Sequence, residues 1–245
     1  MLWNLIKQTE WRPFLDLLSP SFFRVVPAGP LFKELRHLAA LYRSSDGLKQ
    51  AIGHRSVSLD RAGLPVRIIS GGQPQAIATP ENARERGQRI LELYFHQVFI
   101  DGLILLDLRR ASFSEEGAAL LWSPSGALAD WSPAFRIAVR ALYRGFYLND
   151  DALFREGLAA LGLAKAEDAI RSQFGEGQQR AVRFLLEDFQ KKFQDVFVRC
   201  QETGSRIDTG FLSLGLYLAT LYEHLEGLGE SFDVRAAFDA ASAGS

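Results

Sequence analysis

The chain has 245 residues, of which 47 % are apolar and 23 % are charged, and its net charge is −1 at pH 7. These values are typical of a globular protein with one large or two small domains. The balanced charge argues against a nucleic-acid-binding protein. Because there is one cysteine, a disulfide framework and a cysteine-built zinc site are excluded.

Residues 1–54 are predicted to form an N-terminal helical segment. Charged residues interrupt its apolar positions, and no stretch of the chain reaches about 18 uncharged apolar residues. We therefore expect no secretory signal, no transmembrane span and a cytoplasmic location. Residues 1–30 are rich in aromatic side chains, which favours helices packed on a core. The alternative is peripheral membrane contact through an interfacial anchor.

The next region, residues 55–130, is predicted to contain a hairpin, a helix and a loop. Apolar residues at 57, 59, 66 and 68 alternate with polar ones around Asp60–Gly63, which predicts a β-hairpin over 55–70. Thr79 and Pro80 predict a helix start, and an apolar face then continues from Ile90 to Phe99. Short strands are expected within 103–108, 118–122 and 127–129.

Residues 131–238 are predicted to form a helical lobe, followed by a frayed tail at 239–245. Helical segments are expected to begin at Ser132, Asn149–Asp150, Ala164, Gly175 and about Thr209. One apolar stripe is formed by Val182, Leu185, Leu186, Phe189, Phe193, Val196, Phe197 and Cys200. Cys200 is interpreted as a small buried side chain. The predicted fold class is mainly α (α+β) with a minor antiparallel sheet.

Local motifs for chemistry are few. The sequence has no G-x-S-x-G elbow, no Walker loop and no H-E-x-x-H motif. Asp101, Asp107, Arg109 and Arg110 lie together where an apolar strand runs into a polar loop. Such a cluster fits an anion or metal–phosphate site. Taken alone, it is better explained as a solvated loop with one internal ion pair.

Several segments, taken in their order along the chain, resemble a known family. FIDGLILLDLRRASF (99–113) with the following EGAALLWSPSGALADWSPAFR resembles the catalytic core of the UbiB/AarF/ADCK family of atypical protein-kinase-like proteins. FYLNDDALFREGLAALGL (146–163) and LATLYEHLEGLGESFD (218–233) are similar to later segments of that family. The resemblance covers about 79–238. It implies a helical domain like the C-lobe of a kinase, with a loop, a short hairpin and a D-F-G element.

Few of the family's catalytic residues are present at the matching positions of this sequence. The resemblance assigns the catalytic aspartate to Asp107, but Leu105 replaces the loop histidine and Ser112 replaces the loop asparagine. The D-F-G element falls on 122–125 (WSPS), which has no aspartate, and Arg67 stands near the lysine position. The resemblance therefore implies that ATP and Mg²⁺ are not cofactors and that no metal is held. The candidate cofactor-binding residues are Arg67, Arg109, Arg110 and Ser112.

Three functions follow from these observations. The favoured one is a catalytically degenerate kinase-like scaffold or regulatory module that binds a protein partner, near membrane lipids or isoprenoid metabolism as the family implies. The second is a helical binding protein for an apolar, lipid-like or isoprenoid-like small molecule. The third is an active ATP-dependent phosphotransferase in which Asp107 works with Glu115 or Glu116 as a metal ligand.

Overall fold

The computed structural model of the protein describes residues 24–26, 28–69, 82–117, 119–174 and 181–242. Over these residues the fold is mainly α-helical with small sheets of two or three strands, which confirms the predicted fold class. No helix in these ranges is long and apolar enough to cross a bilayer. The predictions for residues 1–23, for a helix start at Thr79 and for one at Gly175 lie outside the described residues.

The described helices and strands alternate along the chain. The helices are α1 (Ala28–Arg43), α2 (Ser45–Ala62), α3 (Ala83–Phe99), α4 (Pro133–Tyr147), α5 (Asp151–Ala160), α6 (Glu167–Phe174), α7 (Leu186–Glu202), α8 (Gly210–Leu228) and α9 (Val234–Ser242). The strands are β1 (Val66–Ile68), β2 (Ile104–Leu105), β3 (Phe113–Glu116), β4 (Ala119–Trp122), β5 (Leu128–Ala129), β6 (Val182–Arg183) and β7 (Ser231–Phe232).

The predicted hairpin over 55–70 is wrong in its first strand, because residues 55–62 complete α2. Ser44 caps this helix by accepting a hydrogen bond from the Gly47 N–H. Gly63 ends it in the left-handed conformation at φ 66°, which glycine adopts without strain. Two helical residues two positions apart also point to opposite sides, so Leu59 is buried and Val57 is exposed. The short alternation therefore could not distinguish a strand from a helix.

The sheet pairing also differs from the prediction of one antiparallel sheet. β3 and β4 form an antiparallel hairpin, and β1 joins β4 in parallel register, with Ile68 opposite Trp122. β2 pairs with β5 in a second sheet, and β6 pairs with β7 in a third. The predicted strands within 103–108, 118–122 and 127–129 are present, but the last two belong to different sheets.

The chain divides into two compact units, each of which draws on several parts of the sequence. The first unit takes the described residues of 1–40, 131–177 and 186–219. The second unit takes those of 41–130, 178–185 and 220–245, so the helix α8 contributes to both.

Helices and their caps build the first unit. Ser132 accepts a hydrogen bond from the Phe135 N–H, and Pro133 occupies the first helical position of α4. Asp150 caps α5 in the same way through the Leu153 N–H. Both predicted helix starts are confirmed, whereas at Ala164 a 3₁₀ turn precedes α6.

The predicted apolar stripe of α7 lies in the core of the first unit. Phe189, Phe193, Val196, Phe197 and Cys200 are all buried, and burial raises the pKa of the Cys200 thiol to about 11. The predicted stripe begins too early in the sequence, because α7 starts at Leu186. Val182 lies in β6, and Leu185 is 38 % exposed.

In the second unit, α3 packs against α9 and β7. Phe95 and Phe99 both meet the Phe238 ring edge-on, at centroid distances of 5.8 Å and 5.6 Å. The prediction of a frayed tail is wrong for residues 239–242, because α9 continues to Ser242. Burial of Ala237 and Phe238 supplies the apolar contact that holds this short helix.

Candidate functional site

The loop between β2 and β3, residues 106–112, carries four of the predicted site residues, Asp107, Arg109, Arg110 and Ser112. It is fixed at its start by Gln97 of α3, which exchanges two hydrogen bonds with the Leu105 backbone at 3.0 Å and 3.2 Å. The Leu106 N–H then donates to the Ala127 carbonyl at 2.9 Å. The loop closes in a 3₁₀ turn over Arg110–Ser112 before β3 begins. Both backbone ends of the loop are therefore anchored.

The carboxylate of Asp107 is completely buried and fully engaged. Its Oδ1 accepts hydrogen bonds from the Arg109 backbone N–H at 3.3 Å and from Arg109 Nε at 2.8 Å. Its Oδ2 accepts from Arg109 Nη2 at 2.9 Å and from the Ser125 N–H at 3.0 Å. Each oxygen thus has two donors, which uses its two lone pairs. The Ser112 side chain also bonds to this carboxylate.

The charge state of Asp107 follows from these contacts. Burial by itself would raise the pKa of this carboxyl. The hydrogen bonds and positive charge of Arg109, with the bonds from Ser125 and Ser112, more than offset burial and hold the pKa of Asp107 below its usual value. The residue is therefore an ionised carboxylate that faces the guanidinium of Arg109, whose side chain is 9 % exposed. The predicted internal ion pair is present, and it is buried.

The hairpin β3–β4 covers the loop from one side. Trp122 Nε1 donates to the Asp107 carbonyl at 2.8 Å, and the Trp122 ring stacks on Phe113 at an interplanar angle of 4°. The Ser123 N–H donates to the Ser112 carbonyl at 2.8 Å. These contacts bring 122–125, the position of the D-F-G element in the resemblance, against Asp107.

Four residues of the C-terminal half of α8 hold the loop from another side. Thr220 Oγ1 donates to the Leu106 carbonyl at 2.7 Å and accepts from the Leu108 N–H at 3.3 Å. Glu223 accepts from the Arg110 N–H at 2.9 Å, and the Gly227 carbonyl accepts from Arg110 Nη1 at 3.0 Å. His224 Nδ1 lies 2.8 Å from the Leu108 carbonyl.

His224 is held neutral inside this network. Burial, followed by the nearby charge of Arg86, lowers the pKa of His224 to about 3. A neutral ring donates from Nδ1 to the Leu108 carbonyl and accepts from Arg86 Nε at 3.3 Å through Nε2. Burial also raises the pKa of Glu223. These buried polar groups join α3, α8 and the loop into one connected structure.

Two predicted site residues lie outside the Asp107 network. Arg67 of β1 is exposed and forms an ion pair with Glu116 at the end of the β3–β4 hairpin. Arg110 uses its backbone and side chain on α8. Glu115, the other predicted metal ligand, lies 3.5 Å from Arg86 Nη1. The structure thus brings Arg109 and Ser112 to Asp107 and directs Arg67 and Arg110 elsewhere.

The donor set does not fit a magnesium–ATP site. Magnesium needs oxygen ligands in near-octahedral geometry, supplied by carboxylates, phosphates and water. Both Asp107 oxygens are bonded to protein donors, and the neighbouring side chains at 112, 123 and 125 are hydroxyls. Among the described residues, no three His, Cys, Asp or Glu side chains are grouped so as to hold a metal ion.

The residues of α3 and α8 that build this site were not predicted from the sequence; they are chiefly Arg86, Gln97, Thr220, Glu223 and His224. A weak signal exists in α8, where polar residues recur at 220, 223 and 224 along a largely apolar helix. This spacing marks one helical face. It gives no indication that the partner of that face is a loop more than 100 residues earlier.

Comparison of the sequence with protein-family models and with curated proteins gives no match. The functional conclusion therefore depends on the geometry of the site.

Proposed function

We propose that this protein is a catalytically degenerate kinase-like module, similar to the UbiB/AarF family, that acts as a scaffold or regulator for a protein partner. The order of elements supports the proposal. A helix (α3) leads to a short strand, a loop with Asp107, the β3–β4 hairpin and the strand β5. The loop, hairpin and following segment come in the order that the resemblance requires.

The buried, fully bonded carboxylate of Asp107 is the observation that carries the proposal. In a kinase, the loop aspartate must accept or orient the acceptor hydroxyl. Here Arg109 takes one position on each Asp107 oxygen, and the backbone N–H groups of Arg109 and Ser125 take the others. A substrate hydroxyl would have to displace a charge-assisted hydrogen bond in a buried setting.

Charge neutralisation gives the second argument. Phosphoryl transfer from ATP concentrates negative charge, which kinases offset with Mg²⁺ and a lysine. The segment 123–125 holds no acidic ligand, and Arg67 is already paired with Glu116. Each missing charge-stabilising group typically lowers the rate about 10²- to 10³-fold. Loss of two or three of them brings phosphoryl transfer to background.

The experiment is a phosphate-release assay and a calorimetric titration with ATP and Mg²⁺ on the purified full chain. We expect no turnover above the buffer rate and no Mg²⁺-dependent binding of ATP. Asp107→Asn and Asp130→Asn are run in parallel, the second as the same chemical change at an exposed aspartate outside the loop. Far-UV circular dichroism checks that each variant is folded.

The active-phosphotransferase alternative makes the opposite prediction. Turnover by the wild type and Asp130→Asn that is abolished in a folded Asp107→Asn variant would overturn the proposal. Turnover that persists in Asp107→Asn through a second purification step would show catalysis elsewhere on the chain and would also overturn it.

A further inference from the structure

A cavity of about 870 Å³ lies in the second unit, between one face of α2 and one face of α3. Its lining residues recur at helical spacing, with Gly53, Val57 and Arg61 on α2 and with Glu92 and His96 on α3. The volume falls within the range of small-molecule sites, roughly 300–1,000 Å³. None of the residues that form the Asp107 network lines it.

The walls of the cavity are largely apolar. They include Val57, Leu64, Pro65 and Ile100, and α9 adds Ala240 and Ala241. Val57 is 49 % exposed, and few other large apolar side chains among the described residues are as accessible to water. Covering this surface with an apolar ligand is favourable because it removes apolar area from water.

A polar pair lies within the cavity lining. His96 Nε2 lies 3.1 Å from Ser58 Oγ, and Ser58 donates its own hydroxyl to the Arg55 carbonyl at 2.8 Å. His96 therefore donates from Nε2. Burial and the nearby charge of Arg55 lower the pKa of His96 to about 4, so the ring is neutral at physiological pH. Both donors of the pair are therefore used within the protein, and the pair adds no charge to the cavity wall.

The charges around the cavity favour an anion. Arg61 lines it and is exposed, and the fully buried Arg55 lies one turn before Ser58 and acts electrostatically on His96. Glu92 is the one carboxylate in the lining. Burial raises the pKa of Glu92, so this side chain is less readily ionised and repels an anion less. The lining thus pairs one guanidinium with one carboxylate, and the charge of Arg55 lies behind the wall, within electrostatic range of His96.

We propose that this cavity is a binding site for a small amphipathic carboxylic acid. The apolar part of the ligand packs on Val57, Leu64 and Ile100, and its carboxylate points to Arg61. This site is separate from the Asp107 network, so the inference does not depend on the proposed kinase-like function.

The probes are decanoate, decanol and decylamine, which share one apolar chain and differ in the charge of the head group. Each is titrated into the full chain by calorimetry, below the concentration at which it forms micelles. We expect saturable 1:1 binding of decanoate, about ten-fold or more tighter than binding of decylamine. Decanol is expected to bind with intermediate affinity, because it retains the apolar contact alone.

Two variants locate the binding. Gly53 lines the cavity and a Cβ there would meet no atom within 4 Å, so Gly53→Phe adds bulk to the cavity wall from a position with open space around its Cβ. It is expected to abolish binding of decanoate and decanol. Arg61→Glu is expected to weaken decanoate at least ten-fold and to strengthen decylamine. Arg84→Glu, a change at an exposed arginine of α3 outside the cavity lining, is the matched control and should leave all affinities unchanged.

Three results would overturn the inference. They are no saturable binding of decanoate, equal binding of decanoate by the wild type and a folded Gly53→Phe variant, and a preference of the wild type for decylamine. Equal weakening by Arg84→Glu and Arg61→Glu would show a general effect of net charge and would also contradict the assignment.

Discussion

Phe193 of α7 lies in an aromatic group in the first unit. Its ring stacks on Phe211 at 5.4 Å, contacts Phe197 edge-on at 4.9 Å and lies 5.2 Å from Phe189. Gly215 makes this arrangement possible, because a Cβ at that position would lie 2.4 Å from the Phe193 ring. The ring and the glycine together determine how closely α7 and α8 approach in this unit.

Removal of this ring gives a prediction for a single residue. Phe193→Ala is expected to lower the free energy of unfolding by about 3–5 kcal/mol, because it removes a buried ring and leaves a cavity. Urea denaturation followed by circular dichroism measures the change. Val198→Ala on the exposed face of the same helix is the control and should cost less than about 1 kcal/mol. A loss below about 1 kcal/mol for Phe193→Ala would contradict the buried position.

At the scale of elements, the loop 106–112 is held by contacts from β4, α3 and α8. Asp107 joins the loop to β4 and the segment after it, because its carboxylate binds Arg109 and the Ser125 N–H while its carbonyl accepts from Trp122. These contacts give Asp107 a structural role, whereas the family resemblance assigns it the catalytic position. The loss of stability in variants of Asp107 therefore measures its structural role separately from a catalytic one.

Asp107→Ala is expected to destabilise the protein by about 3–5 kcal/mol, since it leaves the buried Arg109 guanidinium without its carboxylate. Arg109→Ala is expected to be destabilising for the converse reason. The double variant should cost less than the sum of the two single variants, because each single change leaves one buried charge unpaired. Chemical denaturation of all three variants measures this coupling. Additive losses would show that the two side chains act independently.

At the scale of the whole molecule, two buried neutral histidines make stability depend on pH. The pKa of His96 is lowered to about 4 and that of His224 to about 3, whereas unfolded histidine titrates near pH 6.5. Between these values the unfolded chain binds more protons than the folded chain. Stability is therefore full above about pH 6.5 and is lost as the pH falls towards 4 and then 3.

Each of these histidines contributes up to about 1.4 kcal/mol per pH unit to this slope. Glu92 and Glu223 act in the opposite direction just above pH 4.5, because burial raises their pKa values. The free energy of unfolding is measured from pH 7.5 to 4.5 for the wild type, His96→Gln and the control His37→Gln, whose histidine is exposed on α1. We expect a smaller slope for His96→Gln alone. A wild-type stability that rises on acidification would contradict neutral buried histidines.

The sequence by itself determined the helical character of α4, α5 and α7. Caps at Ser132 and Asp150 and the apolar stripe from Phe189 to Cys200 are signals within one or two turns of helix, and local hydrogen bonds and burial of one face follow directly from them. The sequence also indicated one ion pair among Asp101, Asp107, Arg109 and Arg110, but the structure decided that Asp107 and Arg109 form it and that it is buried.

Only the tertiary structure decided the parallel pairing of β1 with β4 and the burial of Asp107. The helix over 55–62 differs from these, because local caps at Ser44 and Gly63 define it and outweigh a four-residue alternation. The pairing and the burial both depend on contacts between distant parts of the chain, such as Thr220 and His224 on the loop 106–112. No local pattern specifies such a partner, because residue periodicity indicates which face is buried and gives no information about what covers it.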